Sequence, residues 1–243
     1  MRYFITFAYD GTRYHGWQVQ PNADSVQARL NDALTKLLPV PTECVGAGRT
    51  DTGVHASKMV AHFDTEVELD CVQFAFRLNR IVPEDIAVHK VERVDDDLHA
   101  RFSAVRRTYH YFVYTQKNPY RRHYANRLNY TPDYELMNEA AALLLDVEDF
   151  TSFSKLNNDQ KTNICDVSHA RWVQIEDDYW RFEITANRFL RNMVRAVVGT
   201  LLEVGRGRMT LEEFKGVIAA QNRCSAGESV AANALFLVDV EYK

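Results

Sequence analysis

Thr42 to Thr65 reads TECVGAGRTDTGVHASKMVAHFDT, and its two ends decide the fold. Thr42 to Ala47 and Met59 to Thr65 are predicted strands, and between them Gly46, Gly48 and Gly53 mark a loop. Downstream, Asp70 is placed to cap a helix through Leu78, and Ile86 to Val94 reads as a further strand. Upstream, Val26, Leu30, Leu34 and Leu37 give one helical face behind a cap at Ser25, and Arg2 to Tyr9 alternates like a half-buried strand. The order is β-α-β-β-α-β.

The same order recurs after a short connection. Thr108 to Tyr114 is an aromatic strand, Asp133 to about Leu145 a helix, and Val167 to Ile175 and Tyr179 to Ala186 are two more strands. A strongly apolar-faced helix runs through Phe189, Met193, Val197 and Leu201 and is stopped by Gly205. Thr210 with Glu213 makes a capping box for one more helix, and Ala234 to Val240 closes as a strand. Two such units predict an α+β fold of two ferredoxin-like halves, residues 1–105 and 106–243, joined near Ser103 to Arg107. Each half would carry an antiparallel sheet with helices on one face. A cleft between the two sheets is the expected place for a large ligand.

The chain has 243 residues, 26% of them charged, which fits a folded protein rather than a disordered one. No apolar run approaches the ~18 residues of a membrane span. The Met1 to Tyr9 segment is too short and too aromatic for a signal sequence, so a cytoplasmic location is expected. Cys44, Cys71, Cys165 and Cys224 are far apart and the eight His form no ligand motif, so no metal is expected. The net charge of −4 argues against a nucleic-acid partner, but its distribution argues for one. Leu98 to Pro132 contains no acid, where about five would be expected, and holds Arg101, Arg106, Arg107, Lys117, Arg121, Arg122 and Arg127. A second acid-free window, Ile184 to Leu202, carries Arg188, Arg191 and Arg195.

In the central loop, Asp51 projects from a tight Gly-framed turn with Arg49 two positions away. A carboxylate beside a guanidinium favours its charged form, which suits a nucleophile; the competing reading is an Asp that bonds its own turn. A second Gly-rich segment, YDGTRYHGWQVQ at Tyr9 to Gln20, contains the Asp-Gly-Thr of aspartyl-phosphate phosphatases, yet Ala8 stands where their nucleophile would be. Along Thr108 to Tyr114, Tyr109, Tyr111 and Val113 share one face, and aromatic rings beside Arg-rich segments are platforms for unstacked bases. A core strand is the competing reading there, and a plain surface position is the competing reading for Arg195. Two further functions remain open on these residues: a non-catalytic RNA-binding module, and a hydrolase with Asp51 as nucleophile.

Together these stretches resemble the tRNA pseudouridine synthases that act on the anticodon stem-loop, the TruA family. YDGTRYHGWQVQ, GRTDTGVHA at Gly48 to Ala56, HARFSA at His99 to Ala104, Tyr109-x-Tyr111, DFTSF at Asp149 to Phe153 and MVRAVVG at Met193 to Gly199 carry the likeness over nearly the whole chain. The chain departs from the family at Val230 to Leu235, where members often carry Pro and Gly, and at Lys161 to Asn163, where they often carry Arg. The resemblance implies isomerisation of uridine to pseudouridine at tRNA positions 38 to 40, with no cofactor, by a homodimer that holds one tRNA against both subunits. It implies Asp51 as the catalytic carboxylate with Arg49 and Arg195 as site arginines. Tyr109 would pack against the base, and Arg106, Arg107, Arg121 and Arg122 of the basic stretch would supply phosphate contacts.

Overall fold

A computed structural model describes residues 1–155 and 162–243, so Lys161 lies outside the described residues. The chain divides into two compact units, Met1–Val105 with Phe236–Lys243, and Arg106–Leu235. Both are mixed α+β, and the sheet pairing is mostly antiparallel.

The first unit is built on β1 (Arg2–Tyr9), α1 (Val26–Leu37), β2 (Val45–Gly46), β3 (His55–Asp64), α2 (Cys71–Asn79) and β4 (Ile86–Val94). β1 lies between β4 and β3, antiparallel to both. β2 pairs with β3 at Gly46 and Ala61, which completes the β-α-β-β-α-β order in its antiparallel arrangement. The predicted strand at Thr42 to Ala47 contracts to two residues because helix side chains take its backbone groups. Cys44 N–H donates to Asn31 Oδ1 at 2.9 Å, Gln27 Nε2 donates to the Cys44 carbonyl at 2.7 Å, and Thr42 N–H donates to Thr35 Oγ1 at 3.1 Å. Both predicted caps form: Ser25 Oγ accepts from Ala28 N–H, and Asp70 accepts from the N–H groups of Val72 and Gln73. On α1 the buried residues are Val26, Leu30, Ala33 and Leu34, while the predicted Leu37 is only half-buried.

The second unit contains β5 (Ala104–Tyr114, beginning two residues before the unit boundary), β6 (Asn126–Arg127), α3 (Tyr134–Ala142), β7 (Val167–Glu176), β8 (Tyr179–Ala186), α4 (Met193–Gly205) and α5 (Leu211–Ala219). β8 is antiparallel to both β5 and β7. The α5 capping box forms as predicted between Thr210 and Glu213. The apolar-faced helix is shorter and more enclosed than its pattern predicts. Asn192 adopts a left-handed conformation with φ of 66°, so α4 starts at Met193 and Phe189 lies ahead of it. All of its residues are buried except Arg195 and Glu203. The helix ends at Gly205 as predicted, and that glycine is also a packing position, since a Cβ there would stand 2.2 Å from Met137 Sδ. The turn comes at Gly207, with φ of 72°.

The closing strand β9 (Leu235–Tyr242) pairs in parallel with β3, His55 opposite Phe236, so Phe236–Lys243 counts with the first unit although the sequence order groups it with the second half. Among the described residues, no helix is long and apolar enough to cross a membrane.

Candidate active site

The two Gly-rich segments of the first unit pack against each other, and this contact shapes the Asp51 loop. The amide N–H of Trp17 donates to the Thr50 carbonyl at 3.2 Å, and Gly53 N–H donates to the Tyr14 carbonyl at 3.3 Å. A Cβ on Gly16, which has φ of 86°, would lie 2.3 Å from the Thr50 carbonyl oxygen. One on Gly11 would lie 2.0 Å from the Val54 carbonyl oxygen. Only glycine lets the two backbones meet this closely. Buried Thr50 shares a 2.8 Å hydrogen bond with the Tyr9 hydroxyl, and Val54 N–H donates to the Asp51 carbonyl at 3.1 Å to close the turn. Asp51 is thus half-buried and lies between buried Thr50 and buried Val54, while Arg49 in the same loop is exposed.

The supporting segment has its own network, which the sequence pattern did not reveal. Asp85 accepts from the Tyr14 hydroxyl at 2.6 Å and from Arg13 at 2.6 Å. Burial, and then Asp85, push the Tyr14 hydroxyl well above the ordinary tyrosine range. Asp10 accepts from Thr12 N–H at 2.9 Å and from the Thr12 hydroxyl at 2.6 Å, so its carboxylate caps the short turn Gly11–Arg13. His55 Nδ1 lies 3.1 Å from Asp10 but accepts Gly11 N–H at 3.0 Å. The Asp-Gly-Thr piece is therefore scaffolding for the Asp51 loop.

In the second unit, Tyr109 and Tyr111 point to the same face of β5, as the alternation predicts. Tyr109 is 9% exposed, and its ring meets Phe189 edge-on at 5.0 Å. Tyr111 is fully buried; burial drives its hydroxyl far up, against the opposing influence of the Arg195 charge. Arg195 therefore stands close enough to Tyr111 to act on it. It is half-buried, its Nε donates to the Val230 carbonyl at 2.7 Å, and its own carbonyl accepts from Val230 N–H at 3.2 Å. A cation in the first turn of α4 opposes the helix dipole, so helix stability does not explain it.

The basic stretch lacks acids in sequence but not in space. Arg106 pairs with Asp166 at 2.9 Å, and Arg107 donates to the Asn187 carbonyl at 2.8 Å. Arg121 is paired with both Glu176 and Asp178 and lies 4.2 Å over the Tyr179 ring. β7, β8 and the turn between them supply most of these partners. Arg122 is exposed and donates through Nε to His123 Nε2 at 2.8 Å. Among the described residues, no group of three or more His, Cys, Asp or Glu could hold a metal ion.

Comparison with known proteins places these features in a family. A family model described as "tRNA pseudouridine synthase" matches residues 5–103 and 140–243. The chain is 60% identical over 243 residues to tRNA pseudouridine synthase A of Bacteroides thetaiotaomicron, covering 99% of this chain and 90% of that protein. It is 59% identical to the protein of that name from Bacteroides fragilis, covering 99% and 96%. With that of Bacillus subtilis it shares 40% identity over 250 residues, covering 100% and 99%. Matched from end to end at these identities, the chain belongs to the tRNA pseudouridine synthase family, a family of isomerases.

Proposed function

We propose that this protein isomerises uridine to pseudouridine in the anticodon stem-loop of tRNA, at positions 38 to 40, with Asp51 as the nucleophile. The observation that carries the reading is the Asp51 turn itself: a half-buried carboxylate held by backbone bonds and by glycines that admit a second segment against it. A group held rigidly before substrate arrives is what nucleophilic catalysis requires.

The reaction breaks the bond from ribose carbon 1′ to base nitrogen 1, turns the base, and forms the bond from carbon 1′ to carbon 5. The proton lost from carbon 5 balances the one gained at nitrogen 1. Nothing is oxidised and no group is added, so the chemistry calls for no cofactor. An ionised Asp51 can start it by attack on carbon 1′, by attack on carbon 6, or by taking a ribose proton. Arg49 shares the loop of the carboxylate, and Arg195 is the second cation assigned to the reaction. Tyr109 packs against the target base, which must leave the helical stack at a cost of a few kcal/mol. Arg106, Arg107, Arg121 and Arg122 belong to the surface assigned to the RNA backbone. The reading includes a cytoplasmic homodimer that holds one tRNA against both subunits.

The test is to incubate the purified protein with unmodified tRNA and no added cofactor, then map pseudouridine. Pseudouridine at 38, 39 or 40 is the expected result. Binding without conversion would leave an RNA-binding module, and conversion at other positions would overturn the anticodon assignment.

A further inference from the structure

The HARFSA segment follows β4 and is held by three strands of the first unit. Arg2 on β1 donates to the Leu98 carbonyl at 3.0 Å. His62 on β3 accepts Ala100 N–H at 3.2 Å, and Tyr242 on β9 donates to the Ala100 carbonyl at 2.7 Å. The turn also closes on itself. His99 N–H donates to Ser103 Oγ at 2.9 Å, Ser103 N–H donates to the His99 carbonyl at 2.9 Å, and His99 Nδ1 accepts from Arg101 N–H at 3.0 Å and Phe102 N–H at 3.3 Å. His99 must be neutral to accept both, and burial, with Arg2 next, lowers its pKa.

Upon this base stands a column of rings. His62 meets His99 at 4.6 Å, and His99 meets Phe102 at 4.4 Å. The column ends in the open: Phe102 is 76% exposed, with the Arg101 guanidinium 5.5 Å from its ring. A lone exposed phenylalanine is ordinary. One held outward by a turn this fully bonded, with a ring beneath and a cation beside it, is a pre-organised stacking face. The acids on one side of the turn are Asp95 to Asp97, of which Asp96 is bonded to Arg2 N–H and to Arg93. On the other side, Leu98 to Val105 carries Arg101 and no acid, so an anionic chain is favoured there.

We propose that the Arg101–Phe102 turn is a second RNA contact, in which Phe102 stacks on an unpaired base of the substrate and Arg101 meets the adjacent phosphate. It rests on the tRNA reading above. The chemistry it recognises is a π-face beside a phosphate, without regard to base identity.

Two variants test it. Phe102→Leu should weaken tRNA binding by about 5- to 150-fold. Its melting temperature and its single-turnover rate at saturating enzyme should stay near wild type. Phe102→Trp should restore binding and add an indole whose fluorescence is quenched by tRNA and not by heparin, a polyanion without bases. Binding of Phe102→Leu within twofold of wild type, no added quenching in Phe102→Trp, or equal quenching by heparin would each overturn the stacking site. Wild-type protein that forms no pseudouridine would instead sink the reading on which it rests.

Discussion

The roles proposed for Asp51 and Tyr109 can be addressed one at a time by substitution. Asp51→Asn keeps the volume of the side chain and removes its charge. Turnover should disappear while tRNA affinity stays within a few-fold of wild type, in single-turnover and filter-binding measurements. Parallel loss of binding would mean that Asp51 holds the RNA rather than reacting with it. Tyr109 has two separable parts, an almost covered ring and a hydroxyl. Tyr109→Phe keeps the ring, so if the hydroxyl takes the carbon 5 proton, the chemical step should slow by about 10²-fold or more with binding intact. Tyr109→Leu also removes the stacking face, worth about 1 to 3 kcal/mol, and should fall further. Wild-type turnover in both would make Tyr109 a core residue held by Phe189.

At the scale of elements, the Asp51 loop depends on the segment that packs behind it. Gly16→Ala would force a Cβ to 2.3 Å from the Thr50 carbonyl at a backbone angle that disfavours side chains. It should lower the melting temperature by several degrees and lower turnover with it. Gly48→Ala, whose Cβ would meet nothing within 4 Å, should melt within about a degree of wild type. Equal melting of the two variants would show that the two segments do not brace each other. Much of this architecture was legible in the sequence. Ser25, Asp70 and the Thr210–Glu213 box announced three helix starts because caps are local chemistry. β1, β4 and β8 formed over the predicted bounds Arg2–Tyr9, Ile86–Val94 and Tyr179–Ala186. What the sequence hid was non-local: the side chains of α1 that occupy the backbone of Thr42 to Cys44, the left-handed Asn192 that delays α4, and the β3 pairing of the last strand. The catalytic candidate was visible through its glycines, but the use of Gly11 and Gly16 as contact points for that loop was not.

At the scale of the whole molecule, protonation and salt report on different parts of the surface. Burial lowers both His62 and His110 to about 4. The unfolded chain takes up these protons near the ordinary value of 6.5, so between pH 6.5 and 4 it binds more protons than the folded one. Stability from these two rings is therefore complete above pH 6.5 and lost as pH falls toward 4. Melting temperature should drop over that window, and His62→Gln should flatten the drop; an unchanged profile would mean that His62 is solvated. Salt dependence addresses the arginines. A net charge of −4 leaves RNA affinity to local cations, and the fold has already committed some of these. Arg121 is held by Glu176, Asp178 and the Tyr179 ring, whereas Arg122 is exposed beside it. A guanidinium so paired releases few counterions on meeting a phosphate, and an exposed one releases about one. Arg122→Gln should therefore reduce the slope of log affinity against log salt by about one, for tRNA of any sequence. Arg121→Gln should change that slope less and lower the melting temperature more, because it strands two acids beside Tyr179. Equal slopes for Arg122→Gln and wild type would show that this part of the basic stretch faces away from RNA.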